Sequence, residues 1–266
     1  LWLLMENKMS AMIIGATGAG KTTALNAIAC LIRPSHKIIS VEEVAEINLP
    51  HENWTSTIAR SGFGVESEGE ITLYDLIKSA VRHRPDLIIV GEIRGEEAYV
   101  LFQALATGHG GLCTLHAENA DTAIKRLTQP PMNIPQSIIP LMNCVITVKH
   151  VRTPIFLESG KRLSSRKFIS ISEIKDANNF QEVFSWNPTT DIFQEKLSES
   201  YLLRKMAASV DIPIEKLIDE LEYRKRVLIH MVEHNIRDYR SVNKVLSKYY
   251  NNPQLFQREF LEKPRE

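Results

Sequence analysis

The residues Gly15-Ala16-Thr17-Gly18-Ala19-Gly20-Lys21-Thr22 carry the spacing G-x-x-x-x-G-K-[ST]. This is the Walker A arrangement, and its chemistry is phosphate binding. The chain must fold back around a triphosphate so that several backbone N–H groups meet its oxygens. Gly15, Gly18 and Gly20 permit the positive φ angles and close approach that a Cβ would block. Lys21 places a mobile cation on the β- and γ-phosphates, and the Thr22 hydroxyl can ligate Mg²⁺. The flanking text supplies the elements that must hold such a loop. Residues 10–14 form a short apolar run, as expected of a buried parallel strand. Residues 22–31 predict a helix with its N-terminus aimed at the phosphates. A chance glycine-rich turn would lack both flanks.

Two acidic segments follow. Residues 37–41 predict a second strand running into Glu42-Glu43-Val44-Ala45-Glu46. Carboxylates at a strand's C-terminal end lie where open α/β sheets build their sites, and they suit water activation or Mg²⁺ binding. Asp86-Leu87-Ile88-Ile89-Val90-Gly91-Glu92 is an apolar run ending in an acid, the form of a Walker B strand. Many phosphate-loop enzymes place an Asp before such a Glu. Here Gly91 holds that place, which leaves the metal-side role to Glu92. A later strand over 112–116 is bracketed by His109 and His116. With no further Cys or His close by, a metal site is disfavoured. His116 is read as a γ-phosphate or water contact.

The 266 residues allow one large domain, or one domain and a small one. Lys and Arg total 32 and Asp and Glu total 32, so the net charge is zero and bulk charge gives no reason to expect nucleic-acid binding. Cys30, Cys113 and Cys144 are far apart with no C-x-x-C pair, against a disulfide framework or thiolate zinc site. No apolar stretch approaches the ~20 residues that span a bilayer, and no signal peptide is visible. The first residue is Leu and the phosphate loop follows almost at once, the pattern expected of a fragment whose N-terminal domain has been removed.

Residues 47–69 have no clear period and are read as a loop or irregular hairpin, with Arg60 inside it. Thr72-Leu73-Tyr74-Asp75 resembles a capping box opening a helix through 81, stopped before Pro85. Helices are predicted over 96–106, 119–127 and 136–142, and strands over 144–151, 168–174 and 181–186. The basic stretch 161–167 is expected at an exposed hairpin tip. The composition shifts near residue 197, dividing the chain into a core (1–197) and a helical subdomain (198–266). Its helices are expected over 199–208, 213–233, 239–250 and 253–261. Ile214, Leu217, Ile218, Leu221 and Leu228 form a helical stripe in it.

In order, these motifs are similar to the C-terminal ATPase domain of the type II/type IV secretion, pilus-assembly and archaellum ATPases, above all the archaeal branch. The matching text runs Lys21-Thr22-Thr23-Ala24-Leu25-Asn26-Ala27-Ile28, then Asn48-Leu49-Pro50-His51-Glu52-Asn53-Trp54. It continues with Arg82-His83-Arg84-Pro85-Asp86, with Val90-Gly91-Glu92-Ile93-Arg94-Gly95-Glu96-Glu97-Ala98, and with Ala106-Thr107-Gly108-His109-Gly110-Gly111 through Thr114-Leu115-His116-Ala117. Ser172-Glu173-Ile174 also fits. The resemblance implies a RecA-like P-loop NTPase core with a mostly parallel sheet, ATP and Mg²⁺ as cofactors, and a ring of six subunits. It assigns Glu42 and Glu46 as the first acid and the water-activating glutamate of the family's Asp box, with Glu43 in place of the usual Asp. It assigns Glu92 to Walker B, His109 and His116 to the His box, and the loop from Gly15 to Thr23 to the nucleotide. Metal contacts fall to Thr22, Glu92 and Glu42. Arg60, Arg82 and Arg94 are the candidates for charge-stabilising arginines, in cis or in trans.

Two function classes follow. One is a motor ATPase for pilus or archaellum assembly, or secretion, at the cytoplasmic face of the membrane. It would work through a polytopic membrane platform partner, since the chain shows no span of its own. The other is a RecA-like nucleic-acid translocase, which the fold permits and the neutral charge and His box disfavour. A nucleotide kinase lacks a lid or acceptor-site pattern here.

Overall fold

A computed structural model describes residues 1–62, 69–156, 162–253 and 256. A short helix α1 (Trp2–Glu6) leads into β1 (Ala11–Ile14), the phosphate loop and α2 (Lys21–Ala29). Strands β2 (Ile38–Glu42) and β3 (Trp54–Ile58), helix α3 (Leu73–Arg82), β4 (Leu87–Val90), α4 (Glu97–Ala106), β5 (Gly110–Leu115) and α5 (Ala120–Thr128) complete the first half. After a 3₁₀ segment, Gln136–Leu141, come β6 (Cys144–Phe156), β7 (Arg162–Asp176), β8 (Asn179–Asn187) and β9 (Ile192–Glu195). Helices α6 (Tyr201–Ser209), α7 (Ile214–Glu233) and α8 (Tyr239–Asn251) follow.

One nine-stranded sheet has the order β3-β2-β4-β5-β1-β6-β7-β8-β9. From β3 through β6 neighbours are parallel; β7, β8 and β9 join antiparallel. The fold is therefore α/β with a mostly parallel sheet. β1 and β4 are apolar at every position because helices cover both faces. Met12 and Ile14 of β1 pack towards α3, α4 and α5. Ala11 and Ile13 pack towards α2 and α6. The register lines up the strand ends that matter: Ile14 stands opposite Leu115, Cys113 opposite Val90, and Val90 opposite Val41. The residues just after these positions emerge along one edge.

The capping box is present as expected, with Thr72 and Asp75 bonded reciprocally at the start of α3. Three expectations fail. The segment 47–69 holds β3, a parallel edge strand beside β2, where a loop or hairpin was expected. Its residues are half-buried or exposed instead of running apolar because it lies at the sheet's edge, and residues 43–53 reach it without a helix. Residues 162–167 belong to β7, not to a hairpin tip. β9, an exposed four-residue strand with only Ile192 and Phe193 as apolar residues, was not anticipated. Residues 63–64, part of the predicted loop, and the predicted helix over 253–261 lie, wholly or mostly, outside the described residues.

The C-terminal helices close over the α2 side of the sheet. Leu202, Leu203 and Met206 join its core, and Ile214, Leu217, Ile218 and Leu221 pack against it. Further along α7 the inward line shifts to Val227 and Met231, which meet α8 and Trp2. Leu228, expected in the stripe, is 36% exposed. Buried Arg224 ties the pieces together: it pairs with Glu6 and Glu220 and lies 4.9 Å over the Trp2 ring.

Candidate active site

The phosphate loop turns as its glycines require. Gly18 and Gly20 have φ of 74° and 97°, left-handed values costly for any residue with a Cβ. At Gly15 close approach decides: a Cβ there would collide with the Val148 carbonyl oxygen of β6. Gly20 then caps α2, leaving that helix's first N–H groups pointed into the loop.

Three further segments converge beside it. Thr17, Gly18, Lys21, Thr22, Glu42, Glu43, Val44, Glu46, Gly91, Glu92, Thr114 and His116 line one cleft of about 360 Å³. The carboxylates differ in what they do. Glu42, 2% exposed, ends β2 and accepts from the N–H groups of Glu46 and Ile47 through Oε1, both at 2.8 Å. Its other oxygen, Oε2, is buried with no hydrogen-bond partner. An orphaned carboxylate oxygen in a phosphate cleft fits a cation or its water, and Mg²⁺ is typically held by one or two carboxylates together with phosphate oxygens. A side chain built on Gly91 would begin 3.4 Å from Glu42 Cγ. Glu42 of β2 thus lies beside the backbone position that precedes Glu92. Glu46 is exposed on the loop after Glu42.

Glu92 and His116 leave adjacent strands side by side, with Glu92 Oε1 3.1 Å from His116 Nε2. Lys21 Nζ lies 3.2 Å from His116 Nδ1 and donates to the Ala16 carbonyl at 3.3 Å. An ammonium only donates and a carboxylate only accepts, so the tautomer with its proton on Nε2 suits both neighbours: Nε2 faces Glu92, and Nδ1 can accept from Lys21, whose Nζ also lies 3.4 Å from Nε2. Burial holds the Lys21 ammonium below the ordinary lysine pKa, partly offset by the charge of Glu92. Arg126 of α5 donates to the His116 carbonyl and fixes that strand end.

His109 does not join this group. It sits before the first residue of β5, at the other end of the strand, bonded to the Ala104 carbonyl and the Thr107 hydroxyl. Arg94 reaches the cleft's rim, paired with Glu43. Arg60 donates to the Gly69 carbonyl and lines, with Arg94, a neighbouring cleft that shares Glu43 and Val44. Arg82 ends α3 on the far side of the sheet, exposed, and is not among the lining residues. Ala16, Ala19 and Thr23 belong to the loop and the first turn of α2, Thr23 facing away from the carboxylates.

Asn26 was given no role by sequence reasoning. Its Nδ2 donates to the carbonyls of Thr22 and Glu46, and its Oδ1 accepts from Asn48 N–H. It pins the Glu46 loop to the phosphate-loop helix. A polar residue on that helix face was the available signal.

The model of the family described as "Type II/IV secretion system protein" matches residues 1–169. A protein of Methanocaldococcus jannaschii, the uncharacterised MJ1287, is 44% identical over 229 residues, covering 86% of this chain and 83% of that one. The chain belongs to the type II/IV secretion system protein family. Within the family, the type IV secretion system protein PtlH of Bordetella pertussis is 36% identical over 140 residues, 51% of this chain and 40% of PtlH. The chain thus spans less than half the length of that relative. Among solved structures, the VirB11 ATPase of the Brucella suis type IV secretion system is similar at a TM-score of 0.48 and 25% identity, over 63% of this chain and 50% of that one. Among the described residues no helix is long and apolar enough to cross a membrane.

Proposed function

We propose that the chain is an ATPase that hydrolyses Mg²⁺-ATP in this cleft. The observation that carries the reading is that Lys21, Thr22, Glu42, Glu46, Glu92 and His116, from four separate segments, line one space at the phosphate loop. The loop and the N-terminus of α2 bind the phosphates through backbone N–H groups. Lys21 exchanges His116 and the Ala16 carbonyl for the β- and γ-oxygens. Glu46, exposed and held in place by Glu42 and Asn26, accepts the proton of the attacking water. His116, oriented by Glu92, faces the γ-phosphate. Bound Mg²⁺ supplies charge neutralisation on the β- and γ-oxygens, and Thr22, Glu92 and Glu42 are the residues that would hold it.

The wider reading is a motor of a secretion, pilus or archaellum system, acting as a ring of six at the cytoplasmic membrane face on a polytopic platform protein. In it residues 1–197 are the catalytic core and 198–266 a helical subdomain. Family membership supports the secretion setting. Arg60 and Arg94 line the neighbouring cleft together, Arg60 held by the Gly69 carbonyl and Arg94 by Glu43, and in a head-to-tail ring either would exchange that partner for a phosphate.

Phosphate release from ATP with and without Mg²⁺ tests the core claim. Lys21→Ala should lower turnover roughly 10²-fold or more, the usual effect of removing a charge stabiliser. Near-normal turnover would sink the assignment. For the ring, specific activity should rise with protein concentration, and mixing Lys21→Ala with Arg60→Ala, Arg82→Ala or Arg94→Ala should restore activity for any arginine acting in trans. Concentration-independent activity with no rescue would place the complete site in one chain.

A further inference from the structure

The ribbon of β6 and β7 passes the outside of the phosphate loop and meets it at Gly15, Gly18 and Gly20. The Val148 carbonyl of β6 occupies the space that a Cβ on Gly15 would need. The aliphatic stem of Arg166, from β7, runs past Gly20, where a Cβ would lie 2.9 Å from Arg166 Cδ. Arg166 Nε donates to the Gly18 carbonyl at 3.1 Å, 148 residues away in sequence. The motif glycines thus answer to a neighbour outside the loop as well as to their own backbone angles.

Arg166 faces the loop because β7 carries one extra residue. Thr147 stands opposite Ser170 and Val148 opposite Phe168, so Ile169 has no counterpart on β6. Side chains alternate along a strand. Counting from Ile171, which packs on the α2 side, an unbroken β7 would send Lys167 to that side. The bulge shifts the phase, as bulges do when they re-aim a side chain. Phe168 joins Ile171 on the α2 side, and Arg166, two residues further, follows it. Lys167 instead pairs with Asp191 at 2.6 Å and lies over the Trp186 ring.

A phosphate loop turns several backbone N–H groups towards one point, an arrangement that favours an anion and is strained without one. In a trans peptide the carbonyl points away from the N–H, so loop carbonyls are reachable from outside. Two cations take two of them. Lys21 donates to the Ala16 carbonyl at 3.3 Å from the cleft side and leaves it for a phosphate. Arg166 holds the Gly18 carbonyl from the ribbon side and has no need to leave. A charged donor on that oxygen fixes the plane of the Gly18–Ala19 peptide and polarises it.

We propose that Arg166 is a positioning residue for the phosphate loop, holding the Gly18 peptide so that the loop has its binding shape before a nucleotide arrives. The proposal rests on the nucleotide-binding reading above and deepens it, since it names a group that prepares the site without touching the ligand.

The test is titration calorimetry of ATP, ADP and inorganic tripolyphosphate on the whole chain, with steady-state kinetics alongside. Arg166→Ala should weaken all three ligands by one factor, about tenfold, the lower end for a hydrogen bond to a charged group because the residue is exposed. KM for ATP should rise in step, and kcat at saturating ATP should stay within about twofold. In the free chain the Ala19 amide, bonded to the Ala16 carbonyl at 3.1 Å, should exchange its hydrogen faster while the amides of β1 keep their protection. Arg166→Lys retains a charged donor and should recover part of the affinity. The role is overturned if Arg166→Ala binds all three ligands as wild type does, or if kcat falls with affinity unchanged. It is also overturned if tripolyphosphate is spared, which would mean a contact with the nucleoside, or if the loss grows with ligand charge, which would mean long-range attraction alone. Should Arg166→Ala melt at a lower temperature than wild type, Arg166→Lys carries the test, and affinity no better than that of Arg166→Ala overturns the role. Failure of the underlying reading looks different: wild type then binds none of the three ligands, and Lys21→Ala changes nothing.

Discussion

β1 and β4 are buried at every residue, and the chain leaves each of them, and β5, directly into a functional segment. β8 is mostly half-buried and β9 is exposed throughout. The parallel half thus lines the cleft from its strand ends, while the antiparallel half acts through side chains partway along its strands. Glu173 shows the second mode. Mid-strand in β7 and 5% exposed, its carboxylate accepts from the Ser200 hydroxyl and from the N–H groups of Tyr201 and Leu202, at 2.6 Å and 3.0 Å for the two amides. It caps α6 and ties the C-terminal helices to the sheet. A strand-end acid is free to meet a ligand, whereas a mid-strand acid is consumed by the fold.

That contrast can be broken by substitution. The largest effect is expected at a strand-end segment: Glu46→Gln should slow hydrolysis ~10²–10⁴-fold while ATP still binds, because an amide cannot take the water's proton. Glu92→Gln should weaken Mg²⁺-dependent binding as well. If Glu92→Gln alone keeps full binding and Glu46→Gln loses it, the two roles are exchanged. Glu173→Ala should behave oppositely, costing about 1–3 kcal/mol in denaturant unfolding as three donors at the α6 terminus lose their acceptor. ATP affinity at a temperature where the protein stays folded should hardly move. A Glu173→Ala protein of unchanged stability would mean that the cap is dispensable.

The smallest effect concerns pH. His51 is 6% exposed, and burial lowers its pKa from 6.5, partly opposed by its hydrogen bond to the Ile32 carbonyl. The folded chain therefore binds fewer protons at this site than the unfolded chain. Its contribution is complete above pH 6.5 and is lost as pH falls below that value towards the depressed folded pKa. Urea midpoints measured downward from neutral pH should fall more steeply in wild type than in His51→Gln, by less than ~1.4 kcal/mol per pH unit. Parallel curves would show that His51 titrates alike in both states.

Much of the parallel half was legible. Apolar runs such as Leu87-Ile88-Ile89-Val90 have few other solutions in a covered sheet, and the Thr72–Asp75 box fixes its helix start locally. β3 was missed because Trp54-Thr55-Ser56-Thr57-Ile58 carries an edge strand's mixed pattern, and what holds it is distant: Trp54 Nε1 donates to the Ser40 hydroxyl. The two histidines part for a related reason. His109 and His116 flank one strand, and a strand of six residues separates its ends by roughly 20 Å.

The sequence by itself determined the phosphate loop, the order of strand and helix around it, and the chemical types of the acids, because each depends on neighbours a few residues away. Loop glycines, apolar runs and caps act through local sterics and local hydrogen bonds. Only the tertiary structure decided which acids share a cleft, that Glu42 spends one oxygen on the turn and keeps the other unpaired, and that Arg166 reaches Gly18. Those outcomes depend on strand register and on which strands become neighbours, and both are fixed by contacts across the whole sheet.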